Sequence, residues 1–178
     1  MEFSELIQLR RSVRGKYEKV QISHDDIVMI LKKAQQAPSW KNWQVSRCYV
    51  LETKEMLEEF RAKALPDFNQ RSSENALLLV TTFVKDVSGF DIDKNPETEI
   101  GNMWGAYDLG LHDAYLVLAA KDAGYDTLIM GLRNGAAIRE MLNIPENEEV
   151  VSVIALGKAS EPGKDRKRAD LEDVVKFF

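Results

Sequence analysis

The 178-residue chain has one cysteine, Cys48, so no disulfide can close within it and nothing in its thiol content calls for an oxidising compartment. Cys48 lies in an apolar, strand-like run, the setting of a small buried hydrophobe rather than of a reactive thiol. Histidine is nearly as scarce. His24 follows a helix-capping residue, His112 sits in a long helical stretch, and neither has a metal-like partner at short spacing. The Gly-x-Ser-x-Gly elbow, the P-loop, the Gly-x-Gly-x-x-Gly fingerprint and a Cys/His pair are all missing. Asp91, Asp93 and Asn95 alternate like calcium ligands, but without the glycine and closing glutamate of an EF-hand they read as a solvated loop. These absences leave little support for self-sufficient nucleophilic or acid–base catalysis. If the chain is an enzyme, a cofactor carries the chemistry.

Long apolar runs are missing too. No stretch approaches the roughly 20 apolar residues of a membrane span, and the opening Met-Glu-Phe-Ser-Glu is too acidic for a signal peptide. A cytoplasmic protein with no membrane partner is expected. An excess of positive charge is absent: 24 Lys and Arg face 29 Asp and Glu, for a net charge of −5. That argues against general affinity for nucleic acid, though not against a local basic pocket. The remaining composition, 44% hydrophobic and 30% charged, is that of an ordinary globular protein. The length fits one domain over residues 1–178.

Periodicity then places the elements. Residues 2–8 read as a short helix. Ser23 offers an N-cap with Asp26 three residues on, Ile27, Ile30, Leu31 and Ala34 continue at helical spacing, and Pro38 marks the end. Residues 45–51 read as a strand, and Thr53 caps a helix with Met56, Leu57 and Phe60 on its apolar side. Residues 76–84 form a nearly continuous apolar run of strand length, which predicts a central strand covered on both faces. Residues 85–98 are polar and predict a loop. Residues 103–123 are helical and, in their second half, apolar almost all round, so this helix is expected to be buried on every side, within the domain or against another chain. Gly124 stops it. A strand at 127–130, a helix at 136–142 and a strand at 150–156 follow. The tail, 157–178, is basic and then ends in Leu171, Val174, Val175, Phe177 and Phe178, which need a surface to lie on. The class is α+β or α/β with one sheet of about four or five strands.

Two basic groups stand at opposite ends: Arg10, Arg11 and Arg14 around Ser12, and Lys164, Arg166, Lys167 and Arg168. Short basic runs are usually solvated surface. Forked guanidinium donors with a hydroxyl also suit a phosphate monoester, if the two groups meet in space.

Several segments together resemble the nitroreductase family of flavoproteins. They are Arg10-Arg11-Ser12-Val13-Arg14; Ala37-Pro38-Ser39-Trp40-Lys41-Asn42-Trp43-Gln44; Gly124-Tyr125-Asp126-Thr127 through Met130-Gly131, with Ile138-Arg139-Glu140, Ile144-Pro145 and Gly157; and Arg166 and Arg168 ahead of Leu171-Glu172-Asp173-Val174. In order, they span almost the whole chain. The resemblance implies an α+β fold with a central mixed β-sheet flanked by helices, in an intertwined homodimer with FMN bound non-covalently at the interface. The helix at 103–123 then becomes the dimer core and the apolar tail an arm on the partner.

By the same resemblance, Arg10, Ser12, Arg166 and Arg168, with Arg11 beside them, match positions that hold the FMN phosphate and ribityl end. Arg14 matches a position that places positive charge near the N1/O2 edge of the ring. Asn69 matches an asparagine that bonds the pyrimidine edge. Pro38, Ser39 and Asn42 are expected from the other subunit, and Gly131 with the Met130 backbone is expected near N5. Trp40, Trp43 and Trp104 are candidates either to shape a stacking surface or to pack the core.

The sequence departs from the family in Ser72 where many relatives have lysine, Met130 where many have glutamate, Val45 after Gln44 in place of proline, and a short 85–98 loop. These changes bear on substrate range. The implied activity passes electrons from NADH or NADPH to nitroaromatic, quinone or similar small acceptors by a ping-pong cycle. The main alternative is a non-catalytic FMN-binding protein, a flavin store or sensor.

Overall fold

The computed structural model describes residues 1–178. In chain order the elements are α1 (Phe3–Leu9), α2 (His24–Ala34), a short 3-10 turn (Trp40–Asn42), β1 (Ser46–Leu51), α3 (Lys54–Ala64), α4 (Asp67–Ser72), β2 (Leu77–Val84), α5 (Met103–Asp122), β3 (Asp126–Met130), α6 (Gly135–Leu142), β4 (Glu148–Gly157) and α7 (Leu171–Val174). Helix starts follow local chemistry. The Ser23, Thr53 and Asn134 side chains accept the N–H groups of Asp26, Met56 and Ala137, satisfying donors that the first helical turn leaves free. Short α4, after Pro66, the 3-10 turn and the four-residue α7 are the elements that periodicity missed.

The strands form one sheet in the order β1-β2-β4-β3. All three strand pairs are antiparallel. The expected mixed sheet is therefore antiparallel within the chain's own four strands, and its parallel character is a single bridge between Ser12 and Thr127 at the β3 edge. The central strands are covered on both faces, as the apolar run predicts, because side chains alternate between two cores. Leu78, Val80, Val153 and Ala155 point into one core with Phe60, Ala64 and Ile138 of α3 and α6. Leu79, Ile154 and Leu156 point into the other with Ile27, Ile30 and Ala34 of α2 and Leu116, Val117 and Ala120 of α5. No helix is long and apolar enough to cross a membrane.

The fold covers only one side of α5. Leu109, Leu116 and Ala120 are buried, whereas Met103, Tyr107 and Tyr115 are 60%, 59% and 43% exposed. Helix α1 contributes no buried residue and leaves Phe3 and Ile7 exposed near α5. The tail likewise finds no cover on its own chain, with Leu171, Val174, Phe177 and Phe178 all exposed.

Close approach of α5 to β2 depends on Gly105. A Cβ there would stand 2.3 Å from Cδ2 of Phe83. Gly105→Ala is expected to destabilise the fold by about 1–3 kcal/mol through overpacking, read as a lower urea midpoint at constant m-value. An unchanged midpoint contradicts this packing.

Candidate functional site

The N-terminal arginine segment is laid along the β3 edge by its own backbone. Val13 N–H donates to the Thr127 carbonyl at 3.0 Å, and the Val13 side chain is buried. Alternation along this extended stretch turns Ser12 and Arg14 outward, and both are exposed. The Tyr17 hydroxyl donates to the Val13 carbonyl at 3.0 Å, and Gly15 N–H donates to the Ser72 carbonyl at 2.7 Å, which ties Arg14 to the end of α4.

The distant C-terminal segment is brought to the same edge. After β4, Tyr17 bridges Ala159, and Ser160 N–H donates to the Lys16 carbonyl at 2.9 Å. Gly163 then lies against the backbone of the arginine segment: a Cβ there would sit 2.6 Å from Cβ of Arg11 and 2.9 Å from the Ser12 carbonyl oxygen. Arg11 pairs with Asp165 at 2.9 Å and donates to the Arg10 carbonyl at 2.9 Å. Its guanidinium already has partners within the chain, so Arg11 fastens the two ends together rather than offering a free cation.

The result is a cluster of cations. Burial, then the guanidinium of Arg168, then that of Arg11, hold the pKa of Arg10 below its ordinary value. Arg10 and Arg168 are thus close enough to repel each other. Arg10, Arg14, Arg166 and Arg168 form no ion pair within the chain, although the protein is acidic overall. Unpaired guanidiniums such as Arg10 and Arg168, brought together at a half-open surface, have the chemistry of an anion site.

The β3–α6 loop continues the strand to which the arginine segment is bridged at Thr127. Met130 is buried, whereas Gly131 is exposed and a Cβ added to it would meet nothing within 4 Å. Gly131 does not adopt a left-handed φ, so a tight turn does not account for it. Asn69 is 5% exposed, and its Nδ2 donates to the Leu132 carbonyl at 2.8 Å, which locks the loop just after Gly131. Its Oδ1 and second N–H remain for another partner. The role of the Leu132 carbonyl as the anchor for Asn69 was not legible in the sequence.

Pro38, Ser39 and Asn42 are placed elsewhere. They lead into β1, the sheet edge opposite β3. Three strand spacings, about 14 Å, separate the two edges. Lys41, Asn42 and Gln44 of this turn have φ of 47°, 57° and 51°. Left-handed backbone at non-glycine residues costs on the order of 1–3 kcal/mol each and persists only where the surroundings impose it. Behind the turn lies a cavity of about 340 Å³ whose walls include Pro38, Ser39, Arg47, Cys48, Asp108 and His112. Trp40 packs against Trp104 with ring centroids 4.7 Å apart, and Trp104 against Tyr107 at 5.6 Å, so these two tryptophans are packing residues. Trp43 is 52% exposed and remains available to a planar ligand. Asp108 was not singled out from the sequence, although a carboxylate in the middle of a largely apolar helix, like Asp113, is a visible signal.

Solved structures of the same architecture identify the class. A nitroreductase family protein of Streptococcus pneumoniae superimposes with a TM-score of 0.83 at 20% identity, over 99% of this chain and 100% of that one. An Exiguobacterium sibiricum nitroreductase in complex with FMN gives 0.82 at 22% identity, over 100% and 98%. The chain therefore has the nitroreductase fold. The nitroreductase family model matches residues 7–158. A protein of Archaeoglobus fulgidus, provisionally named NADH dehydrogenase/NAD(P)H nitroreductase, is 32% identical over 173 residues, 95% of this chain and 91% of the relative. The chain belongs to the nitroreductase family, a family of oxidoreductases.

Two outcomes follow from the geometry. Gly163→Val is expected to lift the tail from Arg11 and Ser12, so that trypsin cleaves at Lys164–Arg168 several-fold faster, in keeping with the loss of a local docking contact. Equal cleavage rates would separate Gly163 from tail docking. At Cys48, burial and then the charge of Asp113 push the thiol up to about 12. Native Cys48 should therefore react with a thiol reagent at pH 8 on the order of a thousandfold more slowly than a free thiol, because the thiolate is the reacting form, and urea should restore the fast rate.

Proposed function

We propose that the chain is an FMN-dependent oxidoreductase that passes electrons from NADH or NADPH to nitroaromatic, quinone or similar small acceptors. The observation that carries this reading is the approach of the two basic segments along the β3 edge, which sets Arg10 beside Arg168 with no carboxylate partner on either. That donor set fits FMN: forked cations for a doubly charged phosphate, an exposed hydroxyl beside them, and a ring-sized approach to backbone over a glycine.

In this assignment Arg10, Ser12, Arg166 and Arg168 hold the phosphate and ribityl end. Asn69, already fixed on Leu132, keeps its carbonyl oxygen and one N–H for the pyrimidine edge. When bound, FMN supplies the two-electron chemistry that the side chains lack, taking hydride from a reduced nicotinamide and giving electrons to the acceptor by turns. Arg14 contributes a fixed positive charge to the ring edge that becomes more negative on reduction, which favours the reduced form. The backbone N–H groups at Met130 and Gly131 serve as donors at the reacting side of the ring.

The second copy of the chain completes the site. The exposed apolar strip of Phe3, Ile7, Met103, Tyr107 and Tyr115 and the uncovered tail fit a homodimer better than a monomer. Pro38, Ser39 and Asn42 then reach the flavin from the partner, which accounts for their distance from the arginines within one chain. Support for the flavin comes from the FMN complex of the Exiguobacterium sibiricum protein and from a Staphylococcus epidermidis structure described as an NAD(P)H:FMN oxidoreductase, with a TM-score of 0.84 at 24% identity over 99% of this chain and 96% of that one.

The purified protein should show a bound-flavin visible spectrum that bleaches anaerobically with NADH or NADPH. Flavin uptake without bleaching by either donor would leave only the store or sensor. Arg10→Ala is expected to weaken FMN binding by about 10- to 100-fold, the loss of one charge-assisted contact. Arg14→Ala should lower FMN affinity and flavin potential together, and both unchanged would remove Arg14 from the site.

A further inference from the structure

The turn that carries Pro38, Ser39 and Asn42 has left-handed backbone at three non-glycine residues, so something outside it must hold it. The holder is visible. Asp108 of α5 is 3% exposed and lies beneath the turn. Both of its oxygens accept the same backbone donor, Trp40 N–H, at 3.1 and 3.0 Å. Oδ2 also accepts the Ser88 hydroxyl at 2.6 Å. No cation pairs with this buried carboxylate, so its charge is spent on one peptide N–H and one hydroxyl, the latter bond short and both charge-assisted. Side supports are weaker and lie at the surface: Lys41 pairs with Glu97, and Gln44 N–H donates to Ser39 Oγ at 3.0 Å. Asp108 is thus the buried point from which the turn hangs.

We propose that Asp108 is a positioning residue. By gripping Trp40 N–H it fixes the strained turn that presents Pro38, Ser39 and Asn42, and so sets flavin affinity without touching flavin. This rests on the flavin reading given above. Ser88, on the segment between β2 and α5, holds the carboxylate in the orientation that Trp40 needs. The buried Asp108–Ser88 pair therefore also links that segment to the turn.

The test compares Asp108→Ala, Asp108→Asn and Ser88→Ala with the unaltered protein. Hydrogen exchange at residues 40–44 is followed without ligand, and FMN affinity is measured by titrating flavin fluorescence. Asp108→Ala should raise exchange in the turn and the FMN dissociation constant each by about tenfold or more, as expected when a buried amide loses its acceptor. Asp108→Asn keeps an acceptor for Trp40 N–H and a donor for Ser88 Oγ, and should recover most of both. Ser88→Ala should change both a few-fold in the same direction, and it decides the matter if Asp108→Ala does not fold.

A lower melting temperature with turn exchange and FMN affinity unchanged would reduce Asp108 to a packing residue and overturn the proposal. Faster exchange with unaltered FMN affinity, while Arg10→Ala weakens binding, would also overturn it, because the turn would then lie outside the flavin site. An unaltered protein that takes up no FMN defeats the flavin reading itself. That failure is told apart from the others because the exchange measurement needs no ligand.

Discussion

The seat of Gly163 on the backbone of Arg11 and Ser12 is the contact on which the site depends. It brings Arg168 to Arg10 against their mutual repulsion. The contact is therefore made of uncharged or charge-neutral pieces. A glycine permits close approach, the Tyr17–Ala159 bridge and the Ser160 to Lys16 hydrogen bond align the two stretches, and the Arg11–Asp165 pair cancels one cation. What remains uncancelled is the unpaired charge of Arg10 and Arg168. Binding an anion would relieve the repulsion and turn an unfavourable cluster into a favourable one. The same interaction that opposes folding of the empty chain thereby becomes affinity.

Helix α5 organises the other half of the problem. It needs apolar residues toward the sheet to make the second core, and it also carries Met103, Tyr107 and Tyr115 on the face that the chain leaves open. Asp108, buried on the same helix, makes its side-chain hydrogen bonds to Trp40 N–H and the Ser88 hydroxyl, outside the helix. One helix thus supports the sheet, the proposed pairing surface and the turn at residues 38–44.

Much of this was legible in the sequence, because it rests on local rules. The caps at Ser23 and Thr53 and the strand-length run at β2 lie within a residue or two of where periodicity puts them. The approach of the two basic groups was legible only through likeness to a family, since no local pattern says that residue 163 will lie on residue 12. Three features were hidden for a common reason. The Arg11–Asp165 pair, the grip of Asp108 on Trp40 and the Asn69 hold on Leu132 are contacts between residues far apart in sequence, each made by a side chain whose type permits many partners. The left-handed residues Lys41 and Gln44 were hidden as well, because neither type signals that backbone region. Helix α4 is too short for a periodic signal, yet it delivers Asn69.

The topology itself makes a demand. A sheet in the order β1-β2-β4-β3 puts the turn before β1 and the arginines beside β3 on opposite edges. If both segments serve one flavin, as family likeness implies, two copies of the chain supply them most directly, one edge from each. The chain supplies what such pairing needs on the elements beside those segments: α1 precedes Arg10 directly, and α5 carries Asp108 beneath the turn. The residues that would bind the partner and the residues that would bind the cofactor are neighbours on the same elements. Loss of pairing would then cost the cofactor as well, which couples assembly to activity without any separate device.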